Sequence, residues 1–208
     1  MISDRQPLSR PAALAALACC VANTVMLLLR RALHLPSEHV GTRVRFADGT
    51  SATAYRETVA DSGTIREPCV LVVEFTLRAV RGWGHAAFRR ESLLNTPLFV
   101  GFPGFVSKLW LTSDERGRYR GLYQWDGIGR ADDYARALWR VLELVCVPGS
   151  IHYVVLPGLR RDELLASSRS DHGLSADSPV AWWRPVAASS PPRPGVYADS
   201  PGRISERT

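Results

Sequence analysis

Between residues 69 and 165 the hydrophobic period switches repeatedly, and the order of the switches leaves few ways to fold. CVLVVEFTL (69–77) is too short and too β-branched for a helix and reads as a buried strand. HAAFRRESLLN (85–95) reads as a helix that Pro97 stops. FVSKLWLT (105–112) and YRGLYQW (119–125) read as strands joined by the polar turn SDERGR (113–118). A helix follows over 130–146. Its apolar stripe is Tyr134, Leu138, Val141, Leu142 and Val145, with Asp132, Arg136, Arg140 and Glu143 on the other side. Pro148-Gly149 ends it, SIHYVVLP (150–157) is the last strand, and RRDELLASS (160–168) reads as a short closing helix.

Strand, helix, strand, strand, helix, strand is the split β-α-β-β-α-β order of an α+β, ferredoxin-like antiparallel sheet with two helices on one face. Two helices cover only one face. The other would present apolar residues to water, so a second copy is expected to cover it, giving a C2 homodimer that buries sheet against sheet.

The flanks divide the remainder. Residues 40–68 hold an N-terminal β-hairpin and a linker, with strands near 41–47 and 50–58 around an Asp48-Gly49 type I′ turn. In the first strand Val44 and Phe46 share a face, and Arg43 and Arg45 the other. Residues 1–39 contain AALAALACCVANTVMLLL (12–29), uncharged and followed by Arg30 and Arg31. Three readings stand for it: a hydrophobic helix packed on the protein or on a membrane surface, a spanning anchor, or an extension ahead of a start at Met26. Membrane contact would run through residues 12–31. A cleaved signal fits poorly, because the apolar run continues well past Ala16-Leu17-Ala18. Residues 166–208 are rich in Pro and Ser and read as a disordered tail, in which Trp182-Trp183 is either a local contact with the core or a docking motif.

Charge narrows the partners. The formal net charge is +6, spread along the chain rather than gathered in a stripe, which gives no nucleic-acid footprint. Arg116, Arg118 and Arg120 read as a solvated turn beside Asp114 and Glu115. Four cysteines lack C-x-x-C spacing, and no His/Cys/carboxylate set has ligand spacing, so no metal is expected. There is no G-x-G-x-x-G, Walker loop or G-x-S-x-G. No cofactor is implied. The expected location is the cytoplasm, with membrane association as the alternative that residues 12–31 raise.

FPGFVSKLWLTSDERGRYRGLYQWDG (102–127) followed by ADDY (131–134) resembles the antibiotic-biosynthesis monooxygenases and related small monooxygenase-like proteins of the dimeric α/β-barrel superfamily. Pro103-Gly104-Phe105 opens a strand, a polar tip follows, and an aromatic strand ending in Trp125-Asp126 leads into an amphipathic helix. The likeness covers 69–165. It implies an oxidoreductase that oxidises a small aromatic or quinone-type compound with dioxygen, without metal or flavin, between sheet and helices. Haem degradation is disfavoured, because residues 70–77 lack the Asn of haem-degrading relatives and 130–146 lacks their His.

Such chemistry needs a base for a phenolic proton in an apolar chamber. Glu74, His152 and His85 are the candidate catalytic residues. For Glu74 the competing reading is an Arg-paired carboxylate, for His152 a core histidine, for His85 a cap. Trp110, Tyr123, Tyr134 and Trp139 are the candidate substrate-binding aromatics, although Trp139 lies off the apolar stripe. Lys108 and Arg120 read either as binders of an acidic group or as solvated or dimer-face charges. The leading expectation is cofactor-independent oxidation of a small aromatic molecule; the alternative is a non-catalytic ligand-binding or scaffolding dimer of the same fold.

Overall fold

Strands whose side chains alternate between two apolar environments build one curled antiparallel sheet. The computed structural model describes residues 1–78, 99–170 and 181–189. The strands are β1 (Ile2–Ser3), β2 (Leu33–His34), β3 (Arg43–Phe46), β4 (Ser51–Ala60), β5 (Pro68–Thr76), β6 (Phe105–Leu111), β7 (Arg118–Asp126), β8 (His152–Pro157) and β9 (Pro185–Ser189). The helices are α1 (Arg10–Leu29), α2 (Ile128–Leu142) and α3 (Arg161–Ser170). The strand order is β1-β8-β5-β7-β6-β4-β3-β9, with β2 also paired to β4. The central strands β8-β5-β7-β6 pair antiparallel, and α2 joins β7 to β8. This mixed α+β architecture is consistent with a ferredoxin-like fold. The helix expected over 85–95 lies outside the described residues.

Register sorts the side chains into two faces. One cross-strand row reads Thr58, Lys108, Tyr123, Leu71, Val155. It belongs to the face beneath α1 and α2, where Leu71, Tyr123, Trp125, Tyr134 and Val155 are buried together. The neighbouring row reads Glu57, Leu109, Leu122, Val72, Val154 and points to the opposite face.

That second face corrects the reason for expecting a twofold partner. Val70, Val72, Leu109, Leu122 and Val154 are all buried within one chain, beneath Val44 and Phe46 of β3, Leu164 and Leu165 of α3, and Ala188 of β9. Trp182 and Trp183 pack on the same cluster. Each fully buried Val, Leu or Phe contributes about 1.5–3 kcal/mol, so the chain covers its own underside with the N-terminal hairpin, α3 and part of the segment read as a disordered tail. Within that segment α3 runs to Ser170, and β9 pairs with β3 from Arg43↔Ser189 to Phe46↔Pro185.

The hairpin tips also differ from expectation. Among the described residues only Asp4 and Arg31 are non-glycines with positive φ, so Asp48 does not take the type I′ conformation. The Gly49 amide donates to the Phe46 carbonyl (3.0 Å) and the Phe46 amide to the Thr50 carbonyl (2.8 Å). With Gly49 at φ +82°, this is a type I turn closed by a left-handed glycine. The β6–β7 tip repeats it, with Gly117 donating to Asp114 (3.0 Å).

The two tips meet over buried charge. Arg118 and Arg120, read from the sequence as a solvated turn, both reach Asp48 Oδ2 at 2.6 Å. Arg120 also pairs with Glu74 (2.5 Å) and Asp114 (3.3 Å), and Arg118 with Asp114 (3.0 Å) and Glu74 (3.3 Å). Burial pushes the Asp48 carboxyl up, but the Thr50 hydroxyl and amide and the charges of Arg120 and Arg118 outweigh it and hold it at about 2.

Two helices show where tertiary packing overrides the apolar stripe. In α2 the buried positions include Ala131, Asp132, Tyr134, Ala135 and Ala137, and Val145 is exposed beyond its end. Asp132 is tolerated inside because the Tyr153 hydroxyl donates to it (2.7 Å) and Arg5 approaches at 3.4 Å. α1 packs beside α2. It is long and apolar enough to cross a membrane, but it is tied into the fold. Asn23 donates to the Gly101 carbonyl (3.0 Å), and a Cβ at Gly101 would collide with the Cys20 carbonyl and Thr24. Ahead of it β1 pairs with β8, and the Leu8 amide donates to Arg136 (3.2 Å).

Two outcomes follow. Asp48→Asn should lose about 2 kcal/mol at pH 7, measured by urea unfolding. Because the folded carboxyl is depressed, the wild-type contribution is complete above pH 4 and lost as pH falls toward 2, and the variant should lack that part of the acid limb. The purified chain should be monomeric by light scattering; a stable dimer would contradict the self-covered second face.

Candidate aromatic site around Lys108

A single lysine stands among 25 arginines, and the sheet buries it. Strand alternation puts Lys108 on the same face as Trp110, with Tyr123 its cross-strand neighbour on β7. Its Nζ lies 3.1 Å from the Trp110 ring centroid, 4.4 Å from that of Phe99 and 4.7 Å from that of Tyr123. Among the described residues no carboxylate pairs with it. Arg56 presses on the same indole, its Cζ 4.0 Å from the ring centre. The Trp110 Nε1–H donates to Thr58 Oγ1 (3.2 Å), which fixes the plane of that ring.

Aromatic faces stabilise a cation but replace only part of its hydration. Burial therefore holds the Lys108 ammonium well below the usual lysine range, and the Arg56 charge adds to the effect. The result is an amine that gives up its proton readily in a dry, ring-lined setting.

Two phenols complete the site. The Tyr134 hydroxyl of α2 donates to the Tyr123 hydroxyl (3.2 Å). Burial pushes both phenols up, so each stays protonated and is a hydrogen-bonding group rather than a base. Gly121 makes the room: the Tyr123 ring lies over it, where a Cβ would sit 2.7 Å from the ring edge. Phe102 and Trp125 flank Tyr134 at 5.1 and 4.9 Å between ring centres.

A groove lies to one side. It has a volume of about 260 Å³ and runs between α1 and the 100–105 loop, lined by Met26, Leu27, Arg30, Ala60, Phe102 and Phe105 among others. Its wall residue Phe105 meets Phe99 edge-on (5.5 Å), and Phe99 touches Lys108. Two rings, Phe105 and Phe99, therefore stand between the groove and the amine, and none of Lys108, Trp110, Tyr123 and Tyr134 lines it.

The structure brings together Trp110, Tyr123 and Tyr134 and leaves the other candidates elsewhere. Glu74 faces the opposite side of the sheet, paired with Arg118 and Arg120, so it is not a free base in the chamber. His152 is half-exposed at the end of β8, on the same side as Glu74, with Asp4 Oδ2 at 3.1 Å. Trp139 packs edge-on against Tyr153 (6.1 Å) and not on the Lys108 cluster. His85 lies outside the described residues. Lys108 and Arg120 are both buried, not solvated, and they point to opposite faces, so no common acidic group spans them. The alternation of Lys108 with Trp110 was the available signal for Lys108. Nothing in the sequence said which face would be roofed by helices.

Other nucleophiles are quiet. Burial pushes the Cys69 and Cys146 thiols up to about 12. Among the described residues no group of His, Cys, Asp and Glu could hold a metal ion.

No protein-family model matches the chain, and no curated protein matches it. A solved structure that resembles it is an uncharacterized ferredoxin fold protein related to antibiotic biosynthesis monooxygenases, from Listeria monocytogenes 4b F2365. The identity is 14% and the TM-score 0.38, with 54% of this chain and 66% of that chain covered. The chain thus spans just under two thirds of that protein.

The buried amine is open to direct measurement. A lysine depressed in the fold binds fewer protons than in the unfolded chain, so its cost shrinks as pH rises toward the unfolded value near 10. Lys108→Met should be more stable than wild type at pH 7 by about 1 kcal/mol or more. The gap should narrow as pH is raised from 7 toward 10, read from urea midpoints.

Proposed function

We propose that the aromatic chamber around Lys108 takes a small phenol or hydroquinone and prepares it for oxidation by dioxygen without a cofactor. The observation that carries this reading is the Lys108 amine enclosed by Trp110, Phe99 and Tyr123. The neutral amine accepts a hydrogen bond from the phenolic hydroxyl and takes its proton as electrons pass to dioxygen, because the burial that weakens the amine also opposes a free phenolate. The ammonium so formed is held by the ring faces, and the Tyr123–Tyr134 hydroxyl pair of the same cluster supplies a hydrogen bond to the developing oxyanion. A ring C–H bond is replaced by C=O, the second oxygen leaves as water, and the proton on Lys108 returns. Phenol plus dioxygen then balances quinone plus water. In this reading Glu74 and His152 have no part.

A second reading is favoured by packing. Tyr123, Trp125 and Tyr134 are each no more than 2% exposed, and the rings of Tyr123 and Trp125 pack tilted against that of Tyr134, which suits a filled interior and a non-catalytic binding or scaffolding protein. One experiment separates the two. Purified protein is incubated with phenols and hydroquinones under oxygen, following quinone formation, while ligand binding is followed by tryptophan fluorescence. The catalytic reading expects turnover that falls about 100-fold or more in Lys108→Met and is unchanged in His152→Ala. Binding without turnover selects the scaffold, and turnover that survives Lys108→Met overturns the assignment of the base.

A further inference from the structure

α1 has two apolar sides, and the core uses one. Ala13, Cys20 and Thr24 are buried, with Ala16, Leu17 and Leu27 half-buried beside them. The outer side carries Leu14, Val21, Val25, Met26, Leu28 and Leu29, from 39% exposed at Val21 to 74% at Leu29. No charge interrupts it between Pro11 and Leu29, a length of roughly 30 Å. Soluble surfaces rarely leave so long an apolar strip against water. Exposed arginines stand at both ends: Arg10 before it, Arg30 and Arg31 after it.

We propose that this outer face docks on an anionic lipid bilayer, with α1 lying along the surface rather than crossing it. An interfacial helix needs an apolar side for the acyl boundary and a second side that stays out of it. Here the body of the protein supplies the second side. Crossing is opposed by the inner stripe. Removing α1 from the fold would strip the cover from Gly101, break the Asn23 bond to it, and expose Cys20 and Thr24. The terminal arginines choose the lipid, since guanidinium groups at headgroup level pair with phosphate and are drawn to negative surface potential. They also weigh against a second copy as the occupant, because pairing two such helices brings like charges together at both ends in either orientation. The inference is independent of the chemistry at Lys108.

The test floats the full chain with vesicles of phosphatidylcholine alone and of phosphatidylcholine mixed with phosphatidylglycerol. Binding is expected to the anionic vesicles, to weaken with added salt, and to be released by alkaline carbonate. Val21→Asp/Val25→Asp should abolish it, and Arg30→Gln/Arg31→Gln should weaken it roughly 30-fold at low salt. Near-UV circular dichroism matching wild type establishes that both variants are folded. Four outcomes would overturn the proposal. They are no flotation, flotation indifferent to Val21→Asp/Val25→Asp, retention through carbonate (a spanning helix), or a dimer that this variant dissolves (a second copy on the face).

Discussion

A sheet that is dry on both faces must find a partner inside the molecule for every charge its strands carry. That requirement organises this fold. On the second face the chain meets it with ion pairs: Arg118 and Arg120 of β7 gather Glu74 from β5 and the aspartates of two hairpin tips. Farther along the same face, Arg161 of α3 pairs with Glu57 of β4, and Glu57 also meets His39 at 2.9 Å. These pairs contribute less to net stability than to register, because a slip by one residue would leave each of them buried and alone.

On the helix-facing side the requirement is met differently. Lys108 has rings in place of a counter-ion, and Arg56 shares one of those rings. Burial among rings without a counter-ion is the environment that perturbs a titratable group. The two hydroxyls beside it, on α2 and β7, are matched in kind: weakly acidic, buried and able to donate.

Much of the fold was legible in the residues. The strand–strand–helix–strand run from Phe105 to Pro157 could be read because β-branched and aromatic alternation differs in period from the α2 stripe. The glycine turns also mark the hairpin tips. The turn type was misread because Asp-Gly is a preference for type I′ and not a requirement, and here the tip is held by two arginines on Asp48. Residues 181–189 of the tail were misread because Pro and Ser content reports average behaviour. Five residues of β9 and a pair of tryptophans were enough to find β3 and the open face. At the site, Trp110, Tyr123 and Tyr134 could be grouped by spacing, whereas Glu74 was drawn in by its apolar neighbours although it alternates away from Leu71 and Val73.

The sequence by itself determined the strands β3 to β8, the helix α2, their order and the parity of those strands, since period and turn chemistry are local. Only the tertiary structure decided which parity faces the helices and which is covered by the chain's own end. It thereby decided that Lys108 rather than Glu74 sits among the rings. That choice depends on contacts between residues far apart in the chain, where α1, α2 and α3 compete for two apolar surfaces, and no local pattern encodes the outcome.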